Sequence, residues 1–486
     1  MQSDGKYNWR RVLLPWARSE RLWLVLGAVA MAVQTTWWWV PGRDSSVYMS
    51  MARHIAHGEL QVRGGRNLMH SLGYPVAISP CFALGDRPFL AISLFQLGFL
   101  IVFMVFLWRW LRSIVGGPAA LLVGLITANV SLWTTRREML SESVYLPLLI
   151  LAAVAMGRMV RADSTRQTVG WGAAAAVLTA MLGLVRQPGV LLIGGLCLAL
   201  AWQARHRKIG WVKAAVCAAG VSLLPAAVMI ASRLYYHSIA VATGGETYES
   251  DLTRLAGAKG WAWVVQEGLR QRIGEFGRLL VPGMYKAYSR PGQWLNICHL
   301  IYIPLAAAVM VGWWRVARRR PDPLLWTFPI YVAFHVLVPY DQDTRYLLPM
   351  LPVLVVSLWT LLKPLGRWRR AAVVCLVAAH LGVAAGYWIA SLRLAKYDRQ
   401  WAAVRELIEP ITADPRPVAS LGIDEKFRLM VEFDLNRLVT DLKRPVNLPQ
   451  AEGWLLESKD APPPEGFVVR KIVGPWQLLQ RSPRPN

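Results

Sequence analysis

Residues 41–58, PGRDSSVYMSMARHIAHG, directly follow a long apolar segment and contain one acidic residue, Asp44. Apolar side chains recur every four residues at 47, 51 and 55. This spacing predicts an amphipathic helix that lies on a membrane surface and does not cross the membrane. Asp44 then has two interpretations: it caps that helix by accepting hydrogen bonds from free backbone N–H groups, or it is a functional carboxylate.

The composition indicates a membrane protein. The chain has 486 residues, of which 55% are hydrophobic, its mean hydropathy is +0.34, and it contains many apolar runs of bilayer length. The net charge of +25 comes from short basic clusters between these runs. The positive-inside rule explains such clusters, so no nucleic-acid partner is expected. The five cysteines lack the paired spacing of a metal or redox site.

The apolar runs predict an all-α polytopic fold with about eleven transmembrane helices. The expected spans are 21–40, 88–111, 118–134, 143–160, 169–185, 188–204, 210–234, 294–314, 323–340, 346–362 and 371–392. The basic clusters predict a multi-pass protein of the cell (inner) membrane, with a cytoplasmic N-terminus and an extracytoplasmic C-terminus.

Two domains are expected. Residues 1–392 form the transmembrane domain, with external loops 41–87 and 235–293, and residues 393–486 form a small extracytoplasmic α/β domain. The second loop contains an amphipathic piece, 260–280, which is expected to lie on the membrane. In the C-terminal domain we expect strands at 417–421, 454–456, 467–473 and 476–480, and a helix at 424–433.

The alternation of spans places a set of charged residues on the external face. These are the carboxylates Asp44, Glu138, Glu142, Asp341 and Asp343 and the arginines Arg43, Arg136, Arg137, Arg186 and Arg345. Any single arginine at a span end could simply snorkel, but a lipid-linked phosphate would account for the whole set through charge-assisted hydrogen bonds. A nearby carboxylate could accept a proton from an incoming hydroxyl, while arginines stabilise a departing phosphate.

A metal site is an alternative use of the first loop. His54, His57, Glu59 and His70 are close enough in sequence to bind zinc or another divalent ion. Histidines on a surface helix are ordinarily solvated, however, so we expect no cofactor. Tyr48 has the same ambiguity, because an interfacial tyrosine needs no substrate to explain it.

Four short pieces carry a family resemblance. They are GRDSSVYMSMARHIAHG after the first span, SESVYLPLLIL at the fourth, RQPG after the fifth and DTRYLLPMLP near the end. Together they resemble the GT-C superfamily of membrane glycosyltransferases. The similar branch includes protein O-mannosyltransferases, the aminoarabinose transferase of lipid A and the galacturonosyltransferases of rhizobial lipopolysaccharide.

The resemblance implies roles for individual residues. Asp44 would be the catalytic base, Glu142 or Glu138 would position the acceptor, and Arg186 and Arg345 would bind the donor phosphate. Arg43, Tyr48 and Tyr346 complete the candidate substrate-binding set. Many relatives carry a second acidic residue beside the first-loop aspartate, whereas Ser45 and Ser46 follow Asp44 here. This difference argues against a metal bound by such a pair.

The implied activity is transfer of a hexose or pentose from a polyprenyl-phosphate sugar. The acceptor would be a lipid, glycan or protein outside the membrane, and membrane lipid is the remaining partner. The alternatives are a transporter or flippase for an anionic lipid, a polymerase or ligase of lipid-linked glycans, and a non-catalytic scaffold. Transporters often show paired repeats and broken helices near the midplane, whereas here the charges concentrate at one surface.

Overall fold

The computed structural model of the chain describes residues 19–59, 70–243, 248–282, 297–339, 344–366, 368–394, 396–436, 439–442 and 453–482. The predicted residues Asp341 and Asp343 lie outside this part. The fold is mostly helical with one small C-terminal sheet, as predicted. The described residues form two compact units.

The helices follow one another along the chain. In order they are α1 Glu20–Ala32, α2 Arg43–Ala56, α3 Gly73–Ile78, α4 Phe89–Val115, α5 Ala119–Thr127, α6 Val130–Arg137, α7 Glu142–Arg161, α8 Thr165–Val185, α9 Leu191–Arg205, α10 Trp211–Thr243, α11 Tyr248–Lys259, α12 Trp261–Leu280, α13 Ile297–Ala317, α14 Pro323–Val336, α15 Leu351–Leu361, α16 Trp368–Leu394, α17 Lys396–Ile408 and α18 Glu425–Leu435. Short 3₁₀ helices include Ser79–Leu84, Gln187–Val190 and Leu348–Met350.

The first unit, which we call the membrane unit, comprises the described residues of Met1–Thr35, Leu94–Arg136 and Ser141–Trp388. In the described part of the chain, seven helices are long and apolar enough to cross a bilayer, namely α4, α7, α8, α9 with its preceding 3₁₀ turn, α10, α13 and α16. Each of the eleven predicted spans contains a helix. In the remaining four predicted spans the helices are too short to cross a bilayer. The protein is therefore a multi-pass membrane protein.

The third predicted span, residues 118–134, shows why some helices are shorter than expected. Asn129 lies between α5 and α6, where its side-chain oxygen accepts a hydrogen bond from the N–H of Ser131 at 3.0 Å. Its amide group donates to the carbonyl of Leu279 at 2.8 Å. A short polar side chain that bonds the backbone in this way competes with helix continuation.

Helix α12 corrects a prediction about residues 260–280. Its second half does not lie on a membrane surface but is buried inside the membrane unit. A Cβ atom at Gly268 would overlap the carbonyl oxygen of Val336, and one at Gly277 would overlap the ring of Tyr302. The two glycines therefore let α12 approach α14 and α13 closely.

The second unit comprises the described residues of Thr36–Ser93, Arg137–Leu140 and Ile389–Asn486. Its sheet has the order β2–β1–β3–β5–β4, formed by β1 Val418–Ser420, β2 Val439–Asp441, β3 Trp454–Ser458, β4 Phe467–Val473 and β5 Trp476–Arg481. Strand β1 pairs in parallel with β2 and β3, and β5 pairs antiparallel with β3 and β4. One apolar cluster of this sheet contains Ala419, Leu442, Leu455 and Leu479.

An aromatic cluster connects the first loop with the C-terminal helices of the second unit. The buried ring of Trp39 lies 5.8 Å from Phe89, 5.8 Å from Trp401 and 5.3 Å from Phe433, measured between ring centroids. The Trp401 indole also donates a hydrogen bond to the carbonyl of Trp39 at 3.4 Å. One compact unit thus combines residues that the sequence assigns to a loop and to a separate domain.

Candidate functional site

A buried carboxylate with two arginines is the main polar feature of the membrane unit. Glu142 is the first residue of α7, and its side chain is completely buried. Its Oε1 accepts a hydrogen bond from Arg186 Nη1 at 2.5 Å and another from Arg345 Nε at 2.9 Å. The sequence singled out all three residues, and the structure brings them into one ion-pair cluster.

The RQPG segment explains the position of Arg186. Arg186 ends α8 in an extended conformation, with φ −152° and ψ 125°. Pro188 has no N–H with which to continue the helix. A Cβ atom at Gly189 would lie 2.9 Å from the carbonyl oxygen of Leu182, so a larger residue does not fit there without a shift. The turn therefore fixes the arginine at the end of a predicted span.

Further polar side chains surround this cluster. The Arg186 guanidinium lies 5.8 Å from the ring centroid of Tyr145. Arg272, on α12, lies 4.7 Å from the ring of Tyr346 and pairs with Glu275 at 3.2 Å, with both charged groups buried. Sequence reasoning missed Arg272 and Glu275, because an Arg–Glu pair three residues apart is usual on solvated helices. Only their burial distinguishes them.

Asp44 lies in the second unit, in the first turn of α2. Gly42 is the N-cap of this helix, and the hydroxyl of Ser45 accepts hydrogen bonds from the Gly42 N–H at 2.9 Å and from Trp39 Nε1 at 3.1 Å. The N-cap interpretation of Asp44 is therefore wrong. Its Oδ1 instead lies 3.4 Å from Nε2 of His70, with both side chains mostly buried.

Three other predicted site residues lie in the same unit as Asp44. Tyr48 is buried, and its ring makes edge contacts with those of His70 and Tyr74, each at 5.3 Å between centroids. A Cβ atom at Gly42 would lie 3.2 Å from Oε2 of Glu138, which places that carboxylate at the amino end of α2. Arg43 is largely exposed and pairs with Glu425 at 2.6 Å.

His54 differs from its expected solvated state. It is buried, with Nδ1 at 2.9 Å from Oε2 of Glu59 and Nε2 at 2.8 Å from Oδ1 of Asn436. Both ring nitrogens are thus engaged by protein groups. Among the described residues, no group of three or more His, Cys, Asp or Glu side chains could hold a metal ion.

Comparisons with known proteins identify the fold. No family model and no curated protein sequence matches the chain. The solved structure of ArnT from Cupriavidus metallidurans bound to undecaprenyl phosphate aligns with a TM-score of 0.57 at 12% identity, over 95% of this chain and 97% of that one. Its apo state gives 0.56 at 14% identity, over 96% and 98%.

The archaeal oligosaccharyltransferase AglB from Archaeoglobus fulgidus, in complex with an inhibitory peptide and a dolichol-phosphate, is also similar. It aligns with a TM-score of 0.53 at 11% identity, over 93% of this chain and 70% of that one. ArnT, an aminoarabinose transferase, and AglB are both GT-C superfamily members. The chain therefore has the GT-C fold, which confirms at the level of fold the resemblance carried by the four sequence pieces.

Proposed function

We propose that the protein is an integral-membrane glycosyltransferase. It transfers a hexose or pentose from a polyprenyl-phosphate donor to a lipid, glycan or protein acceptor on the extracytoplasmic side of the cell membrane. The observation that carries the proposal is the buried Glu142–Arg186–Arg345 cluster in a chain with the GT-C fold. The similar ArnT and AglB structures hold undecaprenyl phosphate and dolichol-phosphate, respectively.

The arginine pair suits the phosphate of such a donor. Two guanidiniums that face one carboxylate can also bind a phosphate diester, which carries one negative charge. A guanidinium has five N–H donors in a fixed plane, so it can bind Glu142 and a phosphate at the same time. Glu142 would thus hold both arginines in place for the donor.

Asp44 is proposed as the general base. The acceptor oxygen forms a bond to C1 of the sugar as the bond from C1 to the phosphate oxygen breaks, and the acceptor's proton goes to Asp44. The polyprenyl phosphate leaves with an additional negative charge, which Arg186 and Arg345 stabilise. Glu138 and Tyr48 are proposed to contact the acceptor.

Arg43 and Tyr346 are the remaining proposed substrate contacts. In the structure, Arg43 pairs with Glu425, and the ring of Tyr346 lies beside Arg272 and beside His335. We propose that no resident metal takes part, because the two arginines supply the positive charge that a divalent ion would otherwise supply. Transfer is then expected to continue in excess EDTA, and loss of activity that Mg²⁺ or Mn²⁺ restores would contradict this part of the proposal.

The test is transfer of radiolabelled sugar from a panel of polyprenyl-phosphate donors by purified protein in lipid. We expect wild type to use at least one donor and Asp44→Asn to lose roughly 10²- to 10⁴-fold in rate, the usual contribution of a general base. The matched control is Asp163→Asn, since Asp163 is exposed in the turn between α7 and α8.

The arginines are tested in the same assay. Arg186→Ala and Arg345→Ala are expected to weaken donor binding, and unchanged donor affinity would count against their phosphate role. Normal turnover by Asp44→Asn would rule out its role as the base. If no donor is used but the lipid crosses the bilayer, the transporter alternative replaces the glycosyltransferase.

A further inference from the structure

His70 lies beside Asp44, the proposed general base, within the second unit. Its Nε2 is 3.4 Å from Asp44 Oδ1. An ionised carboxylate can only accept hydrogen bonds, so Nε2 of a neutral His70 ring carries the hydrogen and donates it. Catalytic hydrogen bonds are often long in free enzymes and shorten when substrate binds. His70 therefore presents a hydrogen-bond donor to the proposed base.

Two tyrosine rings restrict the position of His70. Tyr48 follows Asp44 by four residues on α2, which places both side chains on one face of the helix. The Tyr48 ring meets the His70 ring edge-on at 5.3 Å between centroids, and it meets the Tyr74 ring in the same way at 5.3 Å. The Tyr74 hydroxyl donates to the carbonyl of Met139 at 2.7 Å, and both tyrosines are buried. A packed aromatic group, and not Asp44 alone, thus sets the position of His70.

The position of Asp44 suits a base that must be both ionised and reachable. Asp44 lies in the first turn of α2, where the free N–H groups of the helix favour a negative charge. Its side chain is 24% exposed, so an acceptor hydroxyl can approach it, whereas that of His70 is 16% exposed. The last torsion of an aspartate is soft, so a partly exposed carboxylate rotates easily. A hydrogen bond to Oδ1 restricts this rotation.

We propose that His70 is a positioning residue, which holds the Asp44 carboxylate in the orientation that takes the proton of the acceptor hydroxyl. In the transfer step the acceptor oxygen bonds to C1 of the sugar and its proton goes to Asp44. The bond from C1 to the phosphate oxygen breaks, and its electron pair leaves with the phosphate. His70 neither gains nor loses a proton. This inference rests on the proposed function and adds a residue that acts through the base.

The test compares three variants of His70 in the radiolabelled-sugar assay, with the donor that wild type uses best. His70→Gln keeps an N–H near the position of Nε2, His70→Asn has one near the position of Nδ1, and His70→Ala has none. The control is His57, which receives the same three substitutions. His57 is exposed at the end of α2, and its Nδ1 lies 2.8 Å from the carbonyl oxygen of Arg53. All rates are expressed per mole of protein that elutes as a single folded species.

We expect kcat to depend on where the N–H group lies. His70→Ala and His70→Asn lose roughly 10- to 10²-fold in kcat, because the base is misplaced, while KM for donor and acceptor stays within about 2-fold. His70→Gln retains nearly the activity of wild type, and so do the three His57 variants. A residue that only stabilises the fold would not produce a loss confined to kcat that glutamine restores.

A double-mutant cycle separates positioning of the base from direct contact with substrate. Combined with Asp44→Asn, His70→Ala is expected to lower the remaining rate by less than about 2-fold, because the group through which His70 acts has already been lost. These rates are measured in a single turnover with excess protein, since the Asp44→Asn background is slow. A side chain that itself contacted substrate would lower the rate by the same factor in both backgrounds.

The inference would be overturned by wild-type rates in all His70 variants, by equal losses in both backgrounds, or by an effect confined to KM. If His70→Ala does not fold, the other two variants decide, and equal rates for His70→Gln and His70→Asn would overturn the inference. Failure of the proposed function looks different. Wild type would then transfer no sugar, or Asp44→Asn would turn over normally, and either result would overturn the positioning role together with the proposal on which it rests.

Discussion

Glu142 gives the clearest prediction for a single residue. Replacing it with Gln removes the negative charge between two mostly buried guanidiniums, and breaking a buried ion pair in this way costs about 3–5 kcal/mol of unfolding free energy. The matched control is Glu20→Gln. Glu20 also begins a helix, but its pair with Arg112, at 3.5 Å, is partly exposed, so about 0–1 kcal/mol is expected. Thermal unfolding in detergent measures both, and equal shifts would contradict a structural role for the cluster.

Asp414 gives a prediction about acid stability. Hydrogen bonds from the Arg416 side chain and backbone, together with one from the Trp454 indole, hold the pKa of Asp414 well below its usual range. The folded state therefore binds fewer protons than the unfolded state. This contribution is complete above the ordinary pKa of about 3.9 and is lost as pH falls below it.

The measurement is cleavage by pepsin within residues 396–482 between pH 4 and pH 2. We expect cleavage of wild type to accelerate as pH falls. Asp414→Asn should be cleaved faster at pH 4 and should show a weaker dependence on pH, because its side chain does not titrate. Identical pH profiles for the two proteins would mean that Asp414 does not stabilise this region.

The sequence identified single residues where a charge was unexpected. Glu142, Arg186 and Arg345 stood out as members of a set of charged residues on one predicted face of the membrane, where snorkelling does not explain the whole set, and the structure brings these three together. Arg272 and Glu275 carried no such signal, since their spacing suits a solvated helix equally well. The capping role of Ser45 was also not predictable, because Asp44 is as good a cap by residue type.

At the level of elements, α12 depends on glycines at its contacts. Gly268→Ala places a methyl group where the carbonyl oxygen of Val336 lies, and neither backbone can yield easily. We expect destabilisation of about 1–3 kcal/mol from overpacking. The control is Gly257→Ala on α11, where nothing lies within 4 Å of the added atom. There the gain in helix propensity makes the change neutral or stabilising. Equal melting temperatures for both variants would contradict the close packing of α12.

The same helix shows the limit of periodicity. An apolar stripe shows that one face of residues 260–280 is buried, but lipid and protein produce the same stripe. The pattern therefore predicted the helix correctly and its surroundings incorrectly. Span lengths failed for a related reason, because hydropathy does not detect a break such as the one at Asn129, where a single side chain bonds the backbone.

At the level of the whole molecule, composition and the pattern of apolar residues were enough to predict an all-α membrane protein with a small C-terminal sheet. It was not enough to predict that the described residues of 36–93 and of 389–482 share one compact unit. That unit depends on contacts such as the one between Trp39 and Trp401, which are separated by 362 residues. Such pairs leave no local pattern in the sequence.

The orientation of the chain gives the last prediction. Basic clusters lie at or just after the C-terminal ends of α4, α7, α9, α13 and α15, and among the described residues α16 is the only long apolar helix that comes after α15. From these clusters the positive-inside rule predicts that residues 205–208 lie in the cytoplasm and that the C-terminus lies outside. Alkaline phosphatase is expected to be active when it is fused after Asn486 and inactive when it is fused after Lys208. Green fluorescent protein at the same two positions is expected to fluoresce after Lys208 and not after Asn486. The opposite pattern would place Asp44 in the cytoplasm, where the proposed extracytoplasmic transfer could not occur.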